Sequence, residues 1–344
     1  MSLYVDIQKQ MGDFTLKVQF DAGAEVLALL GPSGCGKSMT LKCIAGIEKP
    51  DRGTIVLDGV TLFDSRHKIN LPPQVRKTGL LFQNYALFPN MTVLENILAG
   101  THREANRSKA TEMAVQAMES FGLKALASHY PHQLSGGQQQ RAALARLLVS
   151  GPNALLLDEP FSALDSHLRD QMERELKDVL DNFGKTSLLV SHNKEEVYRL
   201  SKKLIIMKDG AIEAKGSTRQ LFANPVTVTG ARLTGYLNIS ALHFTAPGKA
   251  LATDWGIPLA LAGENAFVAI RSQSIGFGPG ENTFTGELVQ ELENPFSYVL
   301  IVKPQNAPAG AALRLEVEKS LWQSRRAKHL TLHLPEKALV CLNG

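Results

Sequence analysis

Three runs in the first 225 residues are apolar at nearly every position: Val26-Leu27-Ala28-Leu29-Leu30, Ala154-Leu155-Leu156-Leu157 and Ser187-Leu188-Leu189-Val190. Such runs, with no polar alternation, predict strands buried on both faces, the habit of a parallel sheet covered by helices. Thr54-Ile55-Val56-Leu57, closed by Asp58-Gly59, predicts a further strand and turn. Between the runs, the pattern predicts helices over 38–44, 105–122, 138–150 and 166–183. In the third of these, Ala142, Leu144, Ala145, Leu147 and Leu148 supply the apolar positions around Arg141 and Arg146. Alternation of strand with helix is the signature of an α/β fold.

The pattern changes after about residue 225, where Asn224-Pro225 closes a helical segment and a Gly/Thr-rich passage follows. The later apolar segments, 267–270, 298–302, 313–317 and 330–334, are short and separated by Gly, Pro and Asn. Leu313-Arg314-Leu315-Glu316-Val317 and Leu330-Thr331-Leu332-His333-Leu334 alternate strictly, which predicts half-exposed strands. A small all-β domain, OB-like or otherwise a barrel or sandwich, is expected there. The expected division is an α/β domain over 1–230, with a helical subdomain over about 88–150, and a β-rich accessory domain over 231–344.

Composition narrows the class. A chain of 344 residues has room for two domains, and 44% hydrophobic with 20% charged residues is globular rather than disordered. No apolar run approaches the length of a membrane-spanning helix, and the N-terminal stretch lacks the basic start and apolar core of a secretory leader. Three cysteines, Cys35, Cys43 and Cys341, without CxxC spacing fit a reducing compartment and neither a disulfide framework nor a zinc site. A net charge of +4 is too small in this length to mark a nucleic-acid footprint.

Gly31-Pro32-Ser33-Gly34-Cys35-Gly36-Lys37-Ser38 satisfies GxxxxGK[ST], a phosphate-binding loop between an expected strand and an expected helix. Its glycines let backbone amides curl round an anion, Lys37 is a point charge for the β- and γ-phosphates, and Ser38 offers a hydroxyl to Mg²⁺. The helix that follows adds its positive end. The apolar run 154–157 ends in Asp158-Glu159. A strand tip delivers both carboxylates to the edge of the sheet where ligands bind. Asp158 is placed to hold the metal, and Glu159 to polarise an attacking water as general base. Leu134-Ser135-Gly136-Gly137-Gln138 stands just before the helix expected from 138. Ser135 resembles an N-cap there, and the two glycines permit close approach to another phosphate.

Phosphate loop, then Leu-Ser-Gly-Gly-Gln, then an apolar strand with Asp-Glu, in that order, resembles the ATP-binding cassette (ABC) ATPases over roughly residues 1–230. The resemblance implies an α/β P-loop ATPase domain binding ATP and Mg²⁺. It implies that Gln83, in Leu81-Phe82-Gln83-Asn84, reaches Mg²⁺ and the attacking water and senses a membrane partner. It implies that His192 contacts the γ-phosphate and that Asp165, in Ser162-Ala163-Leu164-Asp165, lines a dimer interface. Such cassettes work head to tail, so Ser135, Gly136, Gly137 and Gln138 complete the ATP site of the other copy. Relatives stack an aromatic residue on adenine. Met11 stands where one is common, and Phe14 is the nearest candidate, ahead of Tyr4, with a core role as its alternative. The segment from Phe82 to Val93 is read either as docking on a transmembrane subunit or as packing within the domain.

Ile270-Arg271-Ser272-Gln273-Ser274-Ile275, together with the β pattern, resembles the accessory domain of importer ATPases for oxyanions, sugars, polyamines and iron. Leu233-Thr234-Gly235-Tyr236-Leu237-Asn238-Ile239 looks most like the molybdate branch. The resemblance as a whole implies a peripheral ATPase subunit on the cytoplasmic face of the membrane. Two copies sit under two integral membrane permease subunits fed by an extracytoplasmic solute-binding protein. The solute expected is an oxyanion such as molybdate, with sulfate, iron, a polyamine or a sugar as alternatives. The rival is a soluble cassette protein acting on ribosomes or DNA. Such proteins usually carry a second cassette, a coiled coil or a basic insert, and none is visible here, so no nucleic-acid partner is expected.

Overall fold

The computed structural model describes all residues except Met1, Ala163, Ala262, Ala309 and Gly344, and also leaves out the side chains of Ser166 and His167. The chain divides into two compact units, Met1–Thr218 and Arg219–Gly344. The division falls ahead of the boundary expected near 230. The helical residues that follow Thr218 are tied to the second unit, where Arg271 donates to the carbonyls of Phe222 and Thr234, and the Tyr236 hydroxyl to that of Ala223.

In chain order, the first unit runs β1 (Leu3–Met11), β2 (Phe14–Ala22), β3 (Val26–Leu30), α1 (Lys37–Ala45), β4 (Arg52–Leu57), β5 (Val60–Asp64), β6 (Ile69–Asn70) and β7 (Thr78–Leu81). It continues with α2 (Val93–Gly100), α3 (Arg107–Ser120), α4 (Gly136–Val149), β8 (Ala154–Asp158), α5 (Ser166–Phe183), β9 (Thr186–Val190), α6 (Lys194–Leu200), β10 (Lys203–Lys208) and β11 (Ala211–Ser217). All of the strands join one eleven-stranded sheet in the order β6-β5-β4-β1-β2-β11-β10-β3-β9-β8-β7. The stretch β10-β3-β9-β8-β7 is parallel, and the β1, β2, β4, β5, β6 portion is antiparallel.

The parallel strands show why their sequences are apolar throughout. Alternate residues of a strand point to opposite faces. Leu156, Leu188 and Val190 enter the core that also holds Leu41 and Ile44 of α1. Leu155, Leu157 and Leu189 enter the core shared with Leu144 of α4 and Leu176 of α5. The β1–β2 hairpin, by contrast, alternates: Leu3, Val5 and Ile7 are buried opposite Ala22, Phe20 and Val18. Helices α2, α3 and α4 close a separate small core around Val93, Ile97, Ala114, Met118 and Ala142.

The second unit begins within α7 (Thr218–Ala223), followed by α8 (Val228–Leu233), β12 (Asn238–Ala246), β13 (Lys249–Ala252), β14 (Ile257–Ala260), β15 (Phe267–Ile270) and β16 (Gly276–Phe277). Then come β17 (Thr283–Glu293), β18 (Ser297–Pro304), β19 (Leu313–Glu318), α9 (Lys319–Arg325), β20 (His329–His333) and β21 (Val340–Leu342). They form two five-stranded sheets, β14-β13-β12-β15-β21 and β16-β20-β17-β18-β19. Both sheets feed one core, with Val268 and Ile270 from the first, Leu300, Leu315 and Leu332 from the second, and the buried Trp322 of α9.

Candidate nucleotide site

Sheet order brings the site together. Strands β3, β9, β8 and β7 lie side by side and parallel, in the register Leu29↔Val190, Leu157↔Leu189 and Leu81↔Leu157. Their carboxyl ends therefore open on one edge, and each delivers one sequence-predicted element: the phosphate loop after β3, His192 after β9, Asp158 and Glu159 at the tip of β8, and Gln83 after β7.

The loop from Gly31 to Ser38 closes on α1 through Gly36, whose φ of 101° is left-handed. A Cβ at Gly36 would meet Leu16 Cδ1 at 2.6 Å, and one at Gly31 would meet the Met207 carbonyl oxygen at 2.4 Å. Glycine at both places lets the backbone pass where no other residue fits. Pro32, Ser33 and Gly34 form the turn between them, with Gly34 also left-handed. Lys37 is buried, and its Nζ donates to the carbonyls of Gly31 (2.7 Å) and Pro32 (2.9 Å). The ammonium is thus held inside the curl of the loop, at the positive end of α1. Cys35 packs in the same curl, 3.8 Å from Lys37 Nζ, and burial pushes its thiol pKa up while the Lys37 charge opposes the shift.

Ser38 Oγ donates to Asp158 Oδ1 at 2.8 Å. Burial raises the Asp158 pKa, and the Ser38 hydrogen bond works against that rise. A hydroxyl and a carboxylate at the mouth of a phosphate loop are the hard oxygen donors that Mg²⁺ takes, so these two residues fit the ion.

Glu159 adopts φ 47°, a left-handed backbone uncommon for a residue with a side chain. Its peptide is held on both sides: its N–H donates to the Val190 carbonyl at 2.9 Å, and its carbonyl accepts from Ser162 Oγ at 2.9 Å. Strain that the surroundings hold in place tends to mark functional positions. Its carboxylate Oε2 lies 3.3 Å from His192 Nδ1, and the His192 side chain is 64% exposed. The structure thus pairs Ser38 with Asp158 and Glu159 with His192. Gln83 is exposed on the loop after β7, and its side chain carries no hydrogen bond among the described residues.

Ser135 caps α4 through a reciprocal pair: its Oγ accepts from Gln138 N–H at 3.3 Å, and Gln138 Oε1 accepts from Ser135 N–H at 2.9 Å. The helix starts at Gly136, earlier than the expected 138, so both glycines lie in its first turn. A Cβ at Gly137 would come within 2.9 Å of Met172 Sδ, so any side chain there displaces Met172. Asp165 is the N-cap residue of α5 without a side-chain capping bond and is exposed; Ala163 of the same segment lies outside the described residues.

Phe14 opens β2, half-buried against the first core, with its ring edge 3.5 Å from where a Gly36 Cβ would stand and 3.1 Å from the corresponding point at Gly210. It therefore lies beside the phosphate loop and in the core at once. The segment after Gln83 splits. Tyr85 is buried and its hydroxyl reaches the Pro160 carbonyl, whereas Phe88, beneath the Arg146 guanidinium, and Met91 are exposed. Sequence reasoning passed over Ser191 and Glu196, which are joined by a 2.6 Å hydrogen bond. The available signal was an acidic residue, Glu196, beside the buried Val197 on a helix only seven residues long.

Residues 15–162 match the family model described as ABC transporter. The spermidine/putrescine import ATP-binding protein PotA of Nitratidesulfovibrio vulgaris is 38% identical over 301 residues, covering 87% of this chain and 76% of that protein. PotA of Aliivibrio fischeri is 41% identical over 237 residues, covering 69% of this chain and 61% of that one. Among solved structures, a dimeric ATP-binding cassette in a post-hydrolysis state bound to ADP and phosphate superposes with a TM-score of 0.54 at 31% identity, over 64% of this chain and 99% of that one. A dimeric bacterial ABC transporter cassette gives the same TM-score of 0.54 at 30% identity. The chain belongs to the ABC transporter family, as an ATPase of the import type.

Proposed function

We propose that this chain binds and hydrolyses ATP at the edge formed by β3, β9, β8 and β7, and that two copies sandwich the nucleotide to drive solute import. The observation that carries the reading is the joint placement of Ser38 on Asp158 (2.8 Å) and Glu159 on His192 (3.3 Å) beside the loop that buries Lys37. Phosphoryl transfer needs positioning and charge neutralisation more than covalent chemistry. Loop amides and Lys37 bind the phosphates. Ser38, Asp158 and Gln83 hold Mg²⁺, which when bound neutralises phosphate charge. Glu159 accepts the proton of the attacking water at its carboxylate, and His192 orients that carboxylate and meets the γ-phosphate. Phe14 flanks the adenine.

The solved cassettes similar to this chain are dimers. In a dimer of this chain, Ser135, Gly136, Gly137 and Gln138 meet the nucleotide held by the other copy, and Asp165 faces the partner. None of the described helices is long and apolar enough to cross a membrane. In this reading permease subunits supply the pathway and the cassettes sit against them at the cytoplasmic face. Exposed Phe88 and Met91 supply apolar surface for that contact. A solute-binding protein on the far side delivers the cargo. The relatives are spermidine and putrescine importers, which favours a polyamine over the oxyanion expected from residues 233–239.

Glu159→Gln is expected to abolish ATP turnover while ATP still binds; hydrolysis near the wild-type rate overturns the general-base role. Deleting the gene in its native host is expected to reduce uptake of labelled spermidine and putrescine. Loss of molybdate uptake with polyamine uptake intact overturns the solute assignment.

A further inference from the structure

Among the described residues, the His192 side chain has no hydrogen bond to its own turn and contacts Glu159 instead. On one side, Ser191 is buried, its Oγ accepting from Asn193 N–H (2.9 Å) and donating to Glu196 Oε2 (2.6 Å). On the other, Asn193 Oδ1 accepts from Glu195 N–H at 2.9 Å and caps α6. The imidazole between them is exposed and touches Glu159. Glu196 is itself buried, and burial raises its carboxyl pKa, with Ser191 and Arg169 opposing. Its second oxygen lies 3.9 Å from Arg169 Nε on α5, and Arg169 Nη2 reaches the Leu164 carbonyl at 3.4 Å. Leu164 belongs to the segment that ends at Asp165.

We propose that Glu196 is a positioning residue for ATP hydrolysis. Its carboxylate locks the turn that aims His192 at Glu159, and its charge attraction for Arg169, whose Nε lies 3.9 Å away without a hydrogen bond among the described residues, links that turn to the segment leading to Asp165. The inference rests on the nucleotide-site reading above and extends it to residues that touch neither nucleotide nor water. A buried carboxylate is costly, and what this one holds is Ser191, the residue that precedes His192 and also accepts from Asn193 N–H. One side chain thereby bears on two loops, one carrying His192 and one facing the second copy.

Two readouts on the purified full chain test this. Glu196→Ala is expected to lower kcat about tenfold or more with KM for ATP within about twofold, whereas Glu196→Gln, which still accepts from Ser191, keeps most of the rate. The Glu196→Ala loss is expected to vanish in a His192→Ala background, since a residue acting through His192 has nothing further to remove. Full additivity in the double variant overturns the proposal. The second readout needs no turnover: the His192 imidazole NMR signals, assigned by their disappearance in His192→Ala, are expected to shift in Glu196→Ala and hold in Glu196→Gln. Unmoved signals in Glu196→Ala overturn the proposal even if the wild-type chain hydrolyses no ATP, an outcome that by itself would overturn only the ATPase reading.

Discussion

Ser38 Oγ and Asp158 Oδ1 share a 2.8 Å hydrogen bond across 120 positions of sequence, because β9 alone separates β3 from β8 in the sheet. The Asp158 carboxyl is partly withdrawn from water, which raises its pKa above the ordinary 3.8 despite the Ser38 bond. A raised value means that the folded state holds the proton more tightly than the unfolded chain. The group's contribution to stability is then complete below the unfolded pKa and is lost as pH rises through the folded one. Asp158→Asn is neutral throughout. It is expected to melt above wild type at pH 7, with the gap closing as pH falls toward 4, while turnover drops roughly a hundredfold or more. Thermal melts at the two pH values check it; a gap independent of pH contradicts the linkage.

Arg76 holds the far end of the phosphate-loop helix. It is 1% exposed, and its guanidinium donates to the carbonyls of Cys43 (2.8 Å) and Ile44 (2.9 Å) at the end of α1, to the Leu71 carbonyl (2.7 Å) and to Asn70 Oδ1 (2.7 Å). A cation at a helix C-terminus is favoured by the helix dipole, and here it also satisfies carbonyls that the helix leaves open. Arg76→Met strands those acceptors in the core and is expected to cost about 3 kcal/mol or more in urea unfolding. Gly46→Ala attacks the same joint. It places a Cβ 2.5 Å from Arg76 Nε at φ 81°, and a loss of roughly 1–3 kcal/mol is expected.

Much of this architecture was legible because its signals are local. The doubly buried runs that became β3, β8 and β9 read as strands from their unbroken apolar character, and the strict alternation of β19 and β20 marked the all-β unit. The Ser135–Gln138 cap needs only its i, i+3 spacing. The β1–β2 hairpin was passed over, although Gly12 at φ 59° turns it and Leu3, Val5 and Ile7 alternate. Its outward positions carry Asp6, Gln8 and Lys17, so mean apolarity there is low even though the period-2 pattern is present. The Ser38–Asp158 contact, the left-handed Glu159 and the buried Glu196 were not legible. Each depends on which strands become neighbours and what covers them, which chain order alone leaves open.

The cysteines offer a direct check on burial. Desolvation pushes the Cys43 thiol up to about 12 and raises those of Cys35 and Cys341, the Lys37 ammonium being too weak a counterweight at Cys35. The thiolate is the nucleophile in alkylation, so the native chain is expected to react slowly with iodoacetamide at pH 8 at all three positions and rapidly in urea. Peptide mass spectrometry of the labelled protein reads this out. Fast native labelling of Cys35 ahead of the others would show that the phosphate loop opens far more readily than its packing allows.

Gln140 gives the sharpest test of what holds α4 in place. Its side chain is fully buried, and neither Oε1 nor Nε2 has a hydrogen-bond partner among the described residues. It lies one helical turn from Gly137, which packs on Met172, and one turn from Leu144, in the core between α4 and α5. A buried amide with no partner costs about 1–3 kcal/mol, whereas an apolar side chain of similar length and flexibility costs nothing of that kind. Gln140→Met is therefore expected to raise stability by about 1 kcal/mol in urea unfolding. If the substitution destabilises the chain instead, the amide has partners in solution that tie α4 to its surroundings. Measuring ATP turnover in the same variant separates the two roles. Unchanged turnover with higher stability makes Gln140 a packing residue, and lost turnover with higher stability makes the buried amide a cost borne for ATP turnover.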